Sequence, residues 1–104
     1  MDNITKVSDI TYEDVANYIR LSDITEEEQN TLNTLLKVSK SFIKDYTGQT
    51  DEGLDKYESF VIVVFVLCQD MWDNRTFYVD NTNLNFVVSS ILDMHSVNLL
   101  PDEL

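Results

Sequence analysis

An all-α domain, a small bundle of about four helices, is what this sequence predicts, and three observations predict it. Two Gly and one Pro in 104 residues leave few chain breakers, which favours long helices over the many tight turns of an all-β domain. Apolar residues recur at i, i+3 and i+4 along most of the chain, the period of one helix face. Start and stop signals stand at the ends of those apolar stripes, where orphan backbone groups need partners. The length suits a single domain, residues 1–104, with an N-terminal arm at 1–10 and a C-terminal tail at 96–104.

The first helix is expected near 12–20, after a capping box in which Thr11 and Asp14 exchange side-chain and backbone bonds, and it would bury Val15, Tyr18 and Ile19. The link 21–24 permits only a tight reversal, so the second helix packs back on the first. That helix is the most explicit element of the chain. Thr25 and Glu28 form its capping box, and Leu32, Leu35, Leu36, Phe42, Ile43 and Tyr46 form one stripe. Gly48 can take the left-handed conformation that stops it, giving 26–47.

Residues 49–55 read as a polar loop holding Gly53, and a third helix is expected over 55–73, with Leu54, Tyr57, Phe60, Val61, Val64, Phe65, Cys68, Met71 and Trp72 in its stripe. Its centre, residues 60–68, is nine consecutive apolar residues. A membrane span needs about twenty such residues, so flanking Glu58 and Asp70 exclude one. A buried strand is a rival reading, because Val61, Ile62, Val63, Val64 and Val66 are β-branched. Helix is favoured because the 3.6-residue period continues on both sides, at Tyr57 and at Met71-Trp72. A helix apolar on every side must be covered on every side, which points part of this one towards another subunit. A loop over 74–81, mobile and tipped by aromatic residues, leads to a last helix at 84–95, with Asn83 as N-cap and Leu84, Val87, Val88, Ile91, Leu92 and His95 as its stripe.

Net charge is −12, from nineteen acidic and seven basic side chains. A surface of that sign repels phosphate backbones and anionic lipid, which disfavours ordinary nucleic-acid and membrane binding. Lys37, Lys40 and Lys44 share one side of the second helix, where a solvated, dipole-matched face explains them better than a contact with an acidic partner surface. One cysteine, Cys68, builds no internal disulfide framework and suits a reducing compartment. The first residues carry neither a basic nor an apolar export region.

Catalytic and metal-binding patterns are weak. His95 is the sole histidine, and Asp93 lies about 200° round the helix from it, so a packed histidine at a helix end outweighs a metal ligand. Cys68 sits in the apolar run, where its thiol resists ionisation. Asp70 and Asp73, three apart, are the one acid–base candidate pair, with no nucleophile or oxyanion donor beside them. Gly48 and Gly53 make no phosphate-cradling loop, and residues 50–53 open a calcium-loop pattern that the following residues do not complete. The expectation is a structural or interaction protein with no enzymatic activity and no cofactor.

The order of elements carries a family likeness. Tyr18-Ile19-Arg20-Leu21 closes the first helix, Phe42-Ile43-Lys44-Asp45-Tyr46-Thr47-Gly48 the second and Trp72-Asp73-Asn74-Arg75 the third, with residues 84–92 as the last helix. In this order the chain resembles the small head-tail connector, or DNA packaging, proteins of long-tailed bacteriophages. Many of those proteins have a Pro-Phe-Gly-like turn before the last helix, where this chain has Asn83-Leu84-Asn85-Phe86. The resemblance implies a virion protein assembled in the host cytoplasm as a dodecameric ring beneath the portal. Such a ring extends the DNA channel and docks a stopper or tail-completion protein, with DNA only as passing cargo and no membrane partner. A negative channel suits that role, since phosphate contacts would act as brakes. The alternative reading from charge alone is a small acidic helical adaptor or inhibitor of a basic partner.

Candidate interface residues are the apolar side chains outside the helical stripes: Phe77, Tyr78 and Val79 in the loop, and Leu99 and Leu100 in the tail. Such clusters serve either as contact sites for a neighbouring subunit or the portal, or as local packing.

Overall fold

The computed structural model describes residues 4–97. Among them the chain forms five α-helices, α1 (Tyr12–Ile19), α2 (Glu26–Thr47), α3 (Asp51–Leu54), α4 (Ser59–Asn74) and α5 (Phe86–Met94), with 3₁₀ turns at Val7–Asp9 and Asn81–Asn83 and no strand. The apolar run 60–68 is therefore helical, inside α4. No helix of the described residues is long and apolar enough to cross a membrane.

Local chemistry explains the boundaries. Thr11 and Thr25 each accept the backbone N–H three residues on, while the Asp14 and Glu28 carboxylates accept the Thr11 and Thr25 amides at 2.8 and 2.9 Å. Gly48 ends α2 at φ 77, its amide donating to the Lys44 carbonyl at 2.8 Å. Two other helices stop the same way without glycine: Arg20 and Arg75 stand in the left-handed region at φ 70 and 57. There the Leu21 amide reaches back to Ala16, and the Thr76 amide to Met71, the bond pattern of a Schellman stop.

Three expected boundaries are corrected. Residues 49–55 are not all loop, because the Thr50 hydroxyl accepts from the Gly53 amide at 3.1 Å and nucleates the single turn of α3. A β-carbon on Gly53 would strike the Gln49 side chain, which would have to move to admit it. The following helix begins at Ser59 and not near 55, leaving Leu54 buried in α3 and Tyr57 in the connection. The last helix begins at Phe86 and is capped by Asn85, whose Oδ1 accepts from the Val87 amide at 2.7 Å; Asn83 instead donates its side-chain amide to Asp80 within the 3₁₀ turn.

Helix α4 is the centre of the bundle, with α1, α2, α5 and the Val7–Asp9 turn packed around it. Phe60, Val61, Val63, Val64, Phe65, Leu67, Cys68 and Met71 are buried, and of its large apolar residues only Ile62, at 38 %, is exposed. The expectation that this helix needs another subunit for cover is not met, because a single chain wraps it. Part of the wrapping comes from the N-terminal segment expected as an arm: Val7 and Ile10 are core residues, and Ser8 bonds the Asp55 carboxylate through both its amide and its hydroxyl at 2.9 and 2.8 Å. Burial pushes the Asp55 pKa up, but the Ser8 bonds and the charges of Lys6 and Lys40 outweigh it and hold the carboxyl below its ordinary value.

The buried polar groups are satisfied. Thr47 donates to the Ile43 carbonyl at 2.7 Å, and Ser39 meets the Cys68 sulfur at 3.4 Å. Aromatic pairs tie the layers together: Tyr18 stacks on Phe65 at 5.1 Å between ring centres, and His95 stacks on Tyr57 at 3.9 Å with its edge towards Phe60. The single histidine is thus a packing residue at the end of α5, and Gln49 fixes it further by donating to its carbonyl at 2.8 Å.

Candidate docking surface

The connection from α4 to α5 is shaped by its polar residues. Left-handed Arg75 turns the chain out of α4 and lays its guanidinium over the Trp72 ring, 5.4 Å from the ring centre. Next, the Asp80 carboxylate accepts from the Thr82 amide and hydroxyl and from the Asn83 side chain, bonds that hold its pKa below the ordinary value. Between these two fixed points the chain must bulge outward. The segment expected as a mobile loop is thereby pinned at both ends by hydrogen bonds.

That bulge presents the predicted aromatic pair. Phe77 and Tyr78 are 58 % and 65 % exposed, while Val79 turns inward and packs against the core. Of the three loop candidates, the first two are surface residues and the third is a packing residue. Leu99 and Leu100 lie outside the described residues. Phe77 walls a groove of about 280 Å³, also lined by Leu35, Met71 and Trp72 and by the charged Glu27, Glu28 and Arg75. On its other side, Phe77 borders Val38 and Phe42 of α2 together with Tyr78 and Val79.

The structure adds a surface of which sequence reading placed one residue, Val87, in the core. Helix α5 buries Val88 and Leu92, but Val87, expected in the same stripe, is exposed. With 100° per residue, Val88 and Leu92 lie about 200° and 240° round from Phe86, whereas Val87 lies only about 100° from it. Phe86 is 81 % and Met94 72 % exposed. The signal was present in the sequence: α5 carries more apolar residues than one buried face can hold, so some had to point outward.

Of the residues singled out for chemistry, Asp70 and Asp73 interact, while Cys68 meets Ser39 and His95 packs on Tyr57. Cys68 is buried, and burial pushes its thiol up to about 11 against the opposing Ser39 bond, so it stays protonated at neutral pH. Asp70 has a raised pKa, first from partial burial and then from the charge of Asp73. Asp93 accepts a 2.6 Å bond from the Tyr46 hydroxyl, which raises the tyrosine's pKa and ties α5 to α2. Among the described residues no group of three or more His, Cys, Asp or Glu side chains is placed to hold a metal ion.

Compared with protein-family models, with curated proteins and with solved structures, the chain finds no match in any of the three.

Proposed function

We propose that this chain is a non-enzymatic structural protein that works through docking surfaces, as a head-tail connector of a long-tailed bacteriophage. In this reading copies of the chain form a ring beneath the portal, extend the DNA channel and receive the stopper or tail-completion protein. The observation that carries it is the exposed Phe77–Tyr78 pair on a hydrogen-bonded bulge. Exposed aromatic residues on an ordered segment are the usual anchors of a protein contact. The all-helical architecture and the order of helix-closing motifs support the same reading, and net charge −12 suits a channel that must not grip DNA.

The test is co-sedimentation of the purified chain with a portal ring from the same phage. The chain should travel with the ring, and Phe77→Ser with Tyr78→Ser should abolish this while leaving the circular dichroism spectrum unchanged. A chain that never joins the ring would overturn the connector reading.

The same net charge favours a second reading, an acidic adaptor for a basic partner. Binding of that kind weakens steeply with salt, whereas contact through Phe77 and Tyr78 is apolar and should not.

A further inference from the structure

We propose that the pocket between α4 and the chain leading to α5, walled by Asp70, Tyr78 and Asp80, receives an arginine side chain of a partner protein. This deepens the docking reading, on which it rests: Tyr78 belongs both to the exposed aromatic pair and to the wall of this pocket, so a partner seated on the pair meets the pocket beside it.

The walls come from two elements. Leu67, Asp70, Met71 and Asn74 follow one another at i, i+3, i+4 and i+7, one face of α4. Left-handed Arg75 then turns the chain out of the helix, and residues 76–84 bring Tyr78, Asp80 and Leu84 to the same space. The pocket holds about 320 Å³. That is the low end of the roughly 300–1,000 Å³ of ligand sites, so it accommodates one long side chain better than a cofactor.

Charge selects the occupant. Hollows elsewhere on the surface mix signs: Lys40 stands with Asp51, Glu52 and Asp55 in one, Lys37 with Asp45 in a second, and Arg75 with Glu27 and Glu28 in a third. None of the seven basic residues lines the pocket of Asp70 and Asp80, whose other polar residues, Asn74, Thr76, Tyr78 and Asn83, are uncharged. Among the described residues no hydrogen-bond donor or cation reaches the Asp70 carboxylate, while partial burial and the charge of Asp73 hold its pKa above the ordinary value. An incoming cation stabilises a carboxylate so placed. Asp80 is already oriented: Thr82 donates twice to Oδ1 and Asn83 once to Oδ2. Those bonds keep it charged and leave one of its roughly four acceptor sites open.

Arginine fits this set better than lysine. Its planar guanidinium spreads several N–H donors over carboxylate and amide oxygens and stacks on an aromatic ring such as Tyr78. The aliphatic stem lies along Leu67, Met71 and Leu84, since long basic side chains cover apolar surface while the charged head stays in polar surroundings. Nucleic acid and anionic lipid bring no cation and are repelled by the net charge of −12.

The experiment is an amide NMR titration of the whole isotope-labelled chain with the blocked peptide acetyl-Gly-Arg-Gly-amide and its lysine and glutamine counterparts. The arginine peptide should shift the amides of Asp70, Asn74, Tyr78 and Asp80 along one saturating curve, the lysine peptide should bind more weakly, and the glutamine peptide should not bind. Asp70→Asn, at an exposed helix position, should fold normally and weaken the arginine peptide at least about fivefold, more than an exposed ion pair usually contributes. Glu13→Gln on α1 removes the same unit of charge outside the pocket and should leave the affinity unchanged. Shifts scattered over the acidic surface, equal losses from Asp70→Asn and Glu13→Gln, or lysine binding as tightly as arginine each overturn the proposal. Co-sedimentation with the portal ring is scored separately. If Asp70→Asn loses the peptide yet joins the ring as the wild type does, the pocket is overturned as a docking site and the connector reading stands. A chain that binds the peptide through Asp70 but never joins the ring sinks the connector reading and keeps the pocket.

Discussion

Phe65→Ala probes the centre of the bundle most severely. Phe65 is fully buried on α4 and stacks on Tyr18 of α1 at 5.1 Å, so its ring joins two helices far apart in sequence. Truncating a buried Phe costs about 3–5 kcal/mol through lost transfer energy and the cavity left behind. About 0.5–1.5 kcal/mol of that belongs to the ring pair. Total stability for a domain of this size is about 5–15 kcal/mol, so roughly a fifth of it or more should vanish. Urea unfolding followed by circular dichroism should show the midpoint falling with an unchanged slope, and the melting temperature dropping by on the order of 15–30 °C. A double-mutant cycle with Tyr18→Ala should return the ring-pair energy as coupling. A loss below about 1 kcal/mol, the size of an ordinary point mutation, would refute the placement of α4 at the core.

Three further outcomes follow from particular contacts. Arg20→Gly should raise stability by about 1 kcal/mol, because it removes a left-handed side-chain clash at φ 70 while keeping the Leu21 to Ala16 bond; chemical denaturation measures it. Asp55→Asn should lower stability at neutral pH, with the gap closing in acid: the folded carboxyl sits below its ordinary value, so its contribution is full above the unfolded pKa and lost as pH falls through the folded one. Denaturation midpoints across that range check it, and a gap independent of pH would contradict it. Gly53→Ala should cost about 1 kcal/mol by displacing Gln49 from the His95 carbonyl, and in a Gln49→Ala background the loss should shrink.

Much of the fold was legible because several elements announce themselves twice. Helix α2 has a capping box, a stripe and a terminal glycine that agree, and it runs over Glu26–Thr47 as read. Helix α1 was nearly as explicit. The third stripe misled at its start because Leu54 and Tyr57 keep helical spacing across a turn at Asp55 and Lys56, so periodicity ran through a break that packing imposes. Asn83 and Asn85 are equally good caps by residue type; Asp80, which engages Asn83, decides between them. Left-handed Arg20 and Arg75 left no signal, since arginine does not advertise positive φ.

The candidate surface was half legible. Phe77 and Tyr78 stood out because no stripe could absorb them, and the structure exposes both. Val79, in the same run, packs against the core instead. The outer face of α5 was hidden behind an apparently regular stripe that counted Val87 as core. Only the partners of α5, packed against α4 and α2, show which side of an almost wholly apolar helix is buried.

The most direct measurement of the connector role is electron microscopy of lysates from a phage whose copy of this gene is deleted. DNA-filled or leaking heads should stand beside free, unattached tails, restored to joined particles by the wild-type chain supplied in trans but not by Phe77→Ser with Tyr78→Ser. Normal numbers of joined, infectious particles in the absence of this chain would contradict it.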